Sequence, residues 1–344
     1  MTLLLGVDGG NSKSIALVAT ADGSIVAAAR RLGSADIYST GGVDAAIELI
    51  RTLVHEALTQ AGAGAADIGK AVFSMAGADW PEDFALLGAA FGREGFAQPP
   101  LIVNDAIGAL SGAVPDGPAV VVSLGTGAAT GARGADGSTW HSSFWQSPQG
   151  AGELAHRSIT AVVRAEMGVG APTALRERLL AATGDDRVEA VLHRFTARDR
   201  PMGTVIGAVV RALFKAARDD AVAKGIVVAH GTGIGEVAGA AARRVGIERE
   251  SYALSFCGGL ARAAAEPLID AAVDAVRAAG QSPRRVEPRW QPAVGALSVA
   301  LRMSSDVAEW PGIADRLDAT APPEMIYDLL PNASDGMTGH DGSR

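Results

Sequence analysis

Three short segments carry the residue types that phosphate and proton chemistry require. The first is Asp8-Gly9-Gly10-Asn11-Ser12-Lys13. Its glycines let the backbone bend sharply and admit an anion close to the N–H groups, while Ser12 and Lys13 add a hydroxyl donor and a positive charge. An acid at the end of a strand, where Asp8 falls, suits Mg²⁺ held through water, because magnesium keeps much of its hydration shell. The second segment, Gly125-Thr126-Gly127, is a turn of the same composition. Two such turns could close on a polyphosphate from opposite sides. The third, Asn104-Asp105, ends the apolar run Leu101-Ile-Val103. A carboxylate there can take the proton of an attacking hydroxyl; the pair also reads as the cap of a helix that starts at Ala106.

Neither glycine turn is a P-loop, which needs Gly-Lys-Ser/Thr leading into a helix. The first is not a dinucleotide fingerprint either, because a strand follows it. Taken singly, the first reads equally as an ordinary hairpin and the second better as a plain turn; paired, they favour the phosphate reading.

The elements that must position these residues are strands in two similar arrays. Leu3 to Asp8, Ser14 to Ala19 and Ser24 to Ala28 read as a meander. A helical period follows from Val43 to Gln60, with Ala46, Ile47, Ile50, Leu53, Val54 and Leu58 on one face. Ala71 to Met75 reads as a strand, Asp83 to Phe91 as a helix. The second half restarts with a strand over Ala119 to Leu124, the Gly125 turn and a return strand to Arg133. A long helical stretch then runs from about Glu153 to Ala223.

Two further pairs recur in the same order. Ser74-Met-Ala-Gly77-Ala78 resembles Ser255-Phe-Cys-Gly258-Gly259, and Ala106-Ile-Gly-Ala-Leu-Ser111 resembles Ala293-Val-Gly-Ala-Leu-Ser298. With the two glycine turns, three elements repeat in sequence, which points to a duplicated β-sheet domain with the helical stretch inserted in the second copy. The stretch Gly225-Ile-Val-Val-Ala229 followed by His230-Gly231-Thr-Gly233-Ile-Gly235 imitates strand, turn and helix, but its spacing is not that of a dinucleotide site and a glycine-tolerant packing segment is the better reading.

The net charge of −8 argues against a nucleic-acid surface, which needs clustered Lys and Arg. The single cysteine, Cys257, allows no intramolecular disulfide and no Cys cluster for zinc or iron–sulfur within one chain. No apolar run approaches the roughly 18 residues of a membrane span. A soluble, cytoplasmic protein that binds neither nucleic acid nor membrane is expected. The histidines form no metal-ligand pattern, and Trp80, Trp140, Trp145 and Trp290 are expected to pack.

The set Asp8-Gly9-Gly10, Asn104-Asp105, Gly125-Thr126-Gly127, Cys257-Gly258-Gly259 and Pro292-Ala-Val-Gly-Ala-Leu297 resembles the N-acetylglucosamine kinase family, related to the ATPase activators of benzoyl-CoA reductase and more distantly to hexokinase, Hsp70 and actin. The resemblance spans about Leu3 to Leu301. It implies an α/β, two-lobed actin-like ATPase fold of the ribonuclease H-like kind. One lobe would cover residues 1–116 and the other 117–330, with the helical insertion at about 153–223 and a flexible tail at 331–344. It implies an ATP- and Mg²⁺-dependent kinase that phosphorylates an amino sugar at its 6-hydroxyl, with Asp105 as catalytic base. Asp8 would serve the metal, and Gly9, Gly10, Asn11, Ser12, Lys13 and Gly125, Thr126, Gly127 the phosphates. Gly258 and Gly259 would lie against the adenosine, and Asp36, Ser74, Gly77, Asn104, Asp105 and Gln149 would form the sugar site. A homodimer is expected.

Three positions depart from the family pattern. Gly9-Gly10-Asn11-Ser12 stands where relatives have three glycines and Thr, a change that keeps a hydroxyl and a turn-tolerant residue. Ser147-Pro148-Gln149-Gly150-Ala151-Gly152 stands where they carry Gly-Asp-Glu-Gly-Ser-Gly, so the acidic pair is lost. Glu153 is expected to face solvent in the first turn of a helix. Asp36 stands where Asn is common, near the sugar's 2-substituent, and a carboxylate there suits a free ammonium better than an acetamide. Glucosamine is therefore an alternative to N-acetylglucosamine. A silent sugar sensor and a dehydratase activator are the other readings, the second opposed by the lone Cys257.

Overall fold

The computed structural model describes residues 2–196, 203–262 and 265–322; the tail expected at 331–344 lies outside the described residues. β1 (Leu3–Gly9), β2 (Lys13–Thr20) and β3 (Ile25–Leu32) form the expected meander. β3 continues past the expected Ala28 because Arg30 and Arg31 keep pairing with β2, and Arg31 is held by Glu56. α1 (Gly42–Gln60), which carries Glu56, buries Ile47, Ile50, Leu53 and Val54. β4 (Ile68–Met75), α2 (Pro81–Phe91) and β5 (Leu101–Asn104) follow, and α3 (Asp105–Ala113) leaves β5 directly.

The second half begins with β6 (Ala119–Leu124), β7 (Ala128–Arg133) and β8 (Thr139–His141). The helical stretch comprises α4 (Ala151–Glu166), α5 (Leu175–Thr183), α6 (Val188–Thr196), α7 (Gly203–Ala216) and α8 (Ala221–Arg244). β9 (Ser251–Cys257), α9 (Gly259–Arg262), α10 (Glu266–Ala278), β10 (Ser282–Arg285), α11 (Pro292–Arg302) and α12 (Trp310–Thr320) complete the chain. α8 runs unbroken through Gly225–Gly235, and its bare Gly231 and Gly235 let the α10 backbone lie against it.

The first sheet has the order β3-β2-β1-β4-β5 and the second β8-β7-β6-β9-β10. In both, the first two hairpin contacts are antiparallel and the last two parallel. The duplication suggested by three short matches is thus a duplication of sheet topology.

The two repeated helices, α3 and α11, lie between the sheets. A Cβ built on Gly295 would stand 2.0 Å from the carbonyl oxygen of Gly108, so only glycine permits that crossing. α11 and α12 bury Leu297, Leu301, Ile313 and Leu317 against Leu4, Ile15 and Leu17 of the first sheet. α3 packs Ala109, Leu110 and Ala113 against Val121 and Ala253 of the second. The cores on both sides of the turn at residues 116 and 117 therefore draw on both parts of the chain. No helix among the described residues is long and apolar enough to cross a membrane.

Candidate active site

Parallel pairing decides which residues meet. Asp8 at the end of β1 is opposite Ser74 of β4, and Met75 of β4 is opposite Asn104 at the end of β5. The carboxyl ends of three parallel strands thereby bring Asp8, Gly77, Asn104 and Asp105 to one edge, where open α/β sheets bind ligands. There they line a cavity of about 1170 Å³ whose other wall is the second sheet. Gly9 and Ser74 do not line it: Gly9 sits under Met75, and Ser74 is fully buried with its hydroxyl 3.5 Å from the Asp105 carbonyl oxygen.

The two glycine turns are tied back in the same way. In the β1–β2 turn, Ala35 N–H donates to the Gly10 carbonyl at 2.9 Å and Gly33 N–H to the Ser12 carbonyl at 3.1 Å. In the β6–β7 turn, Ala151 N–H donates to the Gly125 carbonyl at 2.9 Å and Gly152 N–H to the Thr126 carbonyl at 3.0 Å, both from the first turn of α4. Asn11, Ser12, Thr126 and Gly127 lie on the cavity wall, and their backbone N–H groups donate to no acceptor among the described residues. Turns held by their carbonyls, with N–H groups left over, have donors free to take an anion. Lys13 lines the same end.

Asp8 and Asp105 show a little surface to the cavity and are otherwise enclosed by protein. Burial pushes Asp105 up to about 7, and the nearby Asp8 and Asp79 carboxylates push the same way. Burial pushes Asp8 up to about 6 against the pull of Lys13. A carboxyl with a pKa near neutrality is matched to taking a proton from a hydroxyl. Asn104 caps α3, accepting from Ala106 N–H at 3.0 Å, so the capping reading of Asn104-Asp105 holds, and Asp105 stands on the cavity wall.

Among the described residues no group of three or more His, Cys, Asp or Glu side chains is placed to hold a metal ion. The donor set fits Mg²⁺ nonetheless. A buried carboxylate such as Asp8, pushed up by its surroundings, is relieved by a divalent cation, and magnesium takes one or two carboxylates with water and substrate phosphates.

At one end of the cavity, Asp36 accepts from Asn11 Nδ2 at 3.2 Å and from Tyr38 N–H at 2.9 Å. Beside it stands Asp79, which sequence reasoning missed because it lies in a loop without a motif. Asn104 Nδ2 donates to Asp79 at 2.9 Å, and burial raises its pKa, with Asp36 and Asp83 adding to the effect. No Lys, Arg or His among the described residues pairs with Asp36 or Asp79. Phe144 forms part of the cavity wall, stacked on Trp80 at 5.7 Å and edge-on to Tyr38 at 5.2 Å. Trp80 and Trp145 do not pack as expected: they are 40% and 69% exposed, because the loops carrying them border the cleft. Trp290 is buried, against Trp310.

Gln149 is on the cavity wall, but each of its polar groups already has a protein partner. Glu153 is not the solvent-facing residue expected: its carboxylate accepts from Gln149 N–H at 2.7 Å and pairs with Arg157 at 2.6 Å.

The opposite end is formed by Gly258 and Gly259, by Leu260 and Arg262 of α9, and by Ile206, Val210 and Arg211 of α7. None of the helical residues carried a sequence signal. Cys257 is buried, and burial pushes its thiol up to about 12.

The sequence model of the BadF/BadG/BcrA/BcrD ATPase family matches residues 5–300. Among solved structures, a candidate N-acetylglucosamine kinase from Chromobacterium violaceum superposes with a TM-score of 0.67 at 24% identity, over 88% of this chain and 99% of that one. A second, from Porphyromonas gingivalis, gives 0.63 at 16% identity over 88% and 99%. A ROK family glucokinase from Streptomyces griseus, in complex with glucose and AMPPNP, gives 0.57 at 17% identity over 87% and 99%. No curated protein matches the sequence. At these identities the structural likeness establishes the fold, and the expected two-lobed, actin-like architecture is borne out.

Proposed function

The chain belongs to the BadF/BadG/BcrA/BcrD ATPase family, and from that premise we propose that it is an ATP-dependent kinase transferring the γ-phosphoryl group to the 6-hydroxyl of an amino sugar. The observation that carries this reading is the pairing of two tied-back N–H turns with one buried, proton-accepting carboxylate, Asp105, on the floor of the same cavity.

The N–H groups of Asn11, Ser12, Thr126 and Gly127, with Lys13, hold the polyphosphate from both sides. Leu260, Ile206 and Val210 give the nucleotide base an apolar wall near Gly258 and Gly259. Asn104 and Asp105 hold the acceptor hydroxyl, and Asp105 takes its proton as the oxygen attacks phosphorus. Mg²⁺, taken up beside Asp8, supplies charge neutralisation on the phosphate oxygens. Catalysis of this kind is mostly positioning and electrostatics.

Asp36 and Asp79 select the acceptor. With two carboxylates that have no cationic partner among the described residues, this end of the cavity favours a free ammonium over a neutral acetamide or hydroxyl. Glucosamine is therefore the preferred acceptor and N-acetylglucosamine the weaker one.

The test is ADP release with MgATP across glucosamine, N-acetylglucosamine, N-acetylmannosamine and glucose. Turnover with an amino sugar supports the reading. Tight nucleotide binding with no sugar-stimulated turnover would move the assignment to a silent sugar sensor.

A further inference from the structure

Gln149, expected from the family resemblance to belong to the sugar site, forms part of the cavity wall. Its bonds run elsewhere. The side-chain Oε1 accepts from Ala128 N–H at 3.1 Å, at the foot of the Gly125–Gly127 turn. Nε2 donates to the Gln146 carbonyl at 2.6 Å. The backbone N–H donates to Glu153, and the backbone carbonyl accepts from His230 at 2.7 Å.

His230 is fully buried on α8, and burial holds its pKa below the ordinary imidazole value. Its Nε2 carries a proton, because the partner is a carbonyl. Its Nδ1 has no partner among the described residues. A buried imidazole nitrogen left unmatched costs free energy, which the bond to Gln149 offsets. Gln146 extends the network by accepting from the buried Thr130 hydroxyl of β7 at 2.8 Å.

We infer that Gln149 is a positioning residue for the nucleotide rather than an acceptor contact. Its amide braces the Gly125–Gly127 turn from behind, while the first turn of α4 takes the turn's carbonyls. Together they hold Thr126 and Gly127 in the orientation that offers their N–H groups to phosphate. His230 fixes the backbone of the brace from the helical insertion.

The inference concerns nucleotide binding and does not depend on which acceptor is phosphorylated. Two variants separate the alternatives, each measured by calorimetric titration of the full chain with MgADP and with MgAMPPNP, and by acceptor KM where turnover is seen. Gln149→Ala is expected to raise the nucleotide Kd about tenfold, as the loss of one buried, oriented hydrogen bond does. The acceptor KM is expected to stay within about twofold, by the same reasoning. Gln149→Glu restores the acidic residue of the family pattern. A brace predicts weaker nucleotide binding still, because a carboxylate is placed beside the phosphate turn. An acceptor contact predicts the reverse: unchanged nucleotide binding and a lower KM for an amino sugar, which would overturn the inference. His230→Gln, which retains a donor, is expected to keep nucleotide affinity nearer the parent than His230→Ala. Equal nucleotide affinity in all four variants and the parent would also overturn it.

Discussion

The hydroxyls of Ser12 and Thr126 meet at 3.0 Å, although 114 residues separate them in the chain. The contact joins the two glycine turns, and with them the two sheets. A triphosphate held by both turns must come between these hydroxyls, exchanging their mutual bond for bonds to phosphate. Thr126→Ala is expected to raise the Kd for MgAMPPNP about tenfold with little change in thermal midpoint. Unchanged affinity by calorimetry would place the phosphates elsewhere.

Asp105→Asn is expected to lower kcat by roughly 10²–10⁴-fold, the usual worth of a positioned general base, with nucleotide affinity retained. Single-turnover ADP formation measures it. A loss under tenfold would mean that the acceptor proton leaves by another route.

Because Asp105 titrates near 7, its proton-accepting form is lost as pH falls through that value. The profile of kcat/KM in the free protein should fall about tenfold per unit on the acid side of 7. Stability runs the other way. Asp8 and Asp105 bind protons more tightly folded than unfolded, so their contribution is present below about 4 and is lost as pH rises through 6 to 7. At pH 8, ligand-free Asp105→Asn should therefore be more stable than the parent, by something on the order of 3 kcal/mol. Denaturant midpoints at pH 5 and pH 8 test the sign.

Asp79→Asn should cut kcat/KM for glucosamine by about 10- to 100-fold, since it removes one partner of a charge-assisted pair, and should affect N-acetylglucosamine much less. Asp36→Asn should act in the same direction. Equal losses on both sugars in the ADP-release assay would sink the ammonium assignment.

Gly295→Ala places a methyl group 2.0 Å from the Gly108 carbonyl oxygen, where the backbones of two helices cross. Overpacking of this kind costs about 1–3 kcal/mol or more, so a clear drop in thermal midpoint is expected. Because the same crossing sets the spacing of the sheets, nucleotide affinity should fall with it. A neutral result would mean that α3 and α11 can slide apart.

Much of the molecule was legible in the amino-acid order, for reasons that are local. The Asp8–Lys13 and Gly125–Gly127 turns are legible because glycines between apolar runs mark a chain reversal, and Asn104-Asp105 ends a strand and caps a helix within two residues. The period of α1 and the repetition of α3 in α11 record burial directly, since a face that meets a sheet must be apolar or bare. What the order could not show is what depends on partners distant in the chain. β10, Ser282-Pro-Arg-Arg, has no apolar pattern and is a strand only because β9 pairs with it. Asp79 joined Asp36, and Phe144 joined Trp80 and Tyr38, only when loops from separate elements were brought together at the cleft. Gln149 carries the same side chain in either reading; the direction of its amide was decided by the Ala128 N–H and the Gln146 carbonyl, while His230 meets its backbone carbonyl. Sequence alone set the polar residues at the turns and strand ends, and the packing of one sheet against the other brought them to the wall of one cavity.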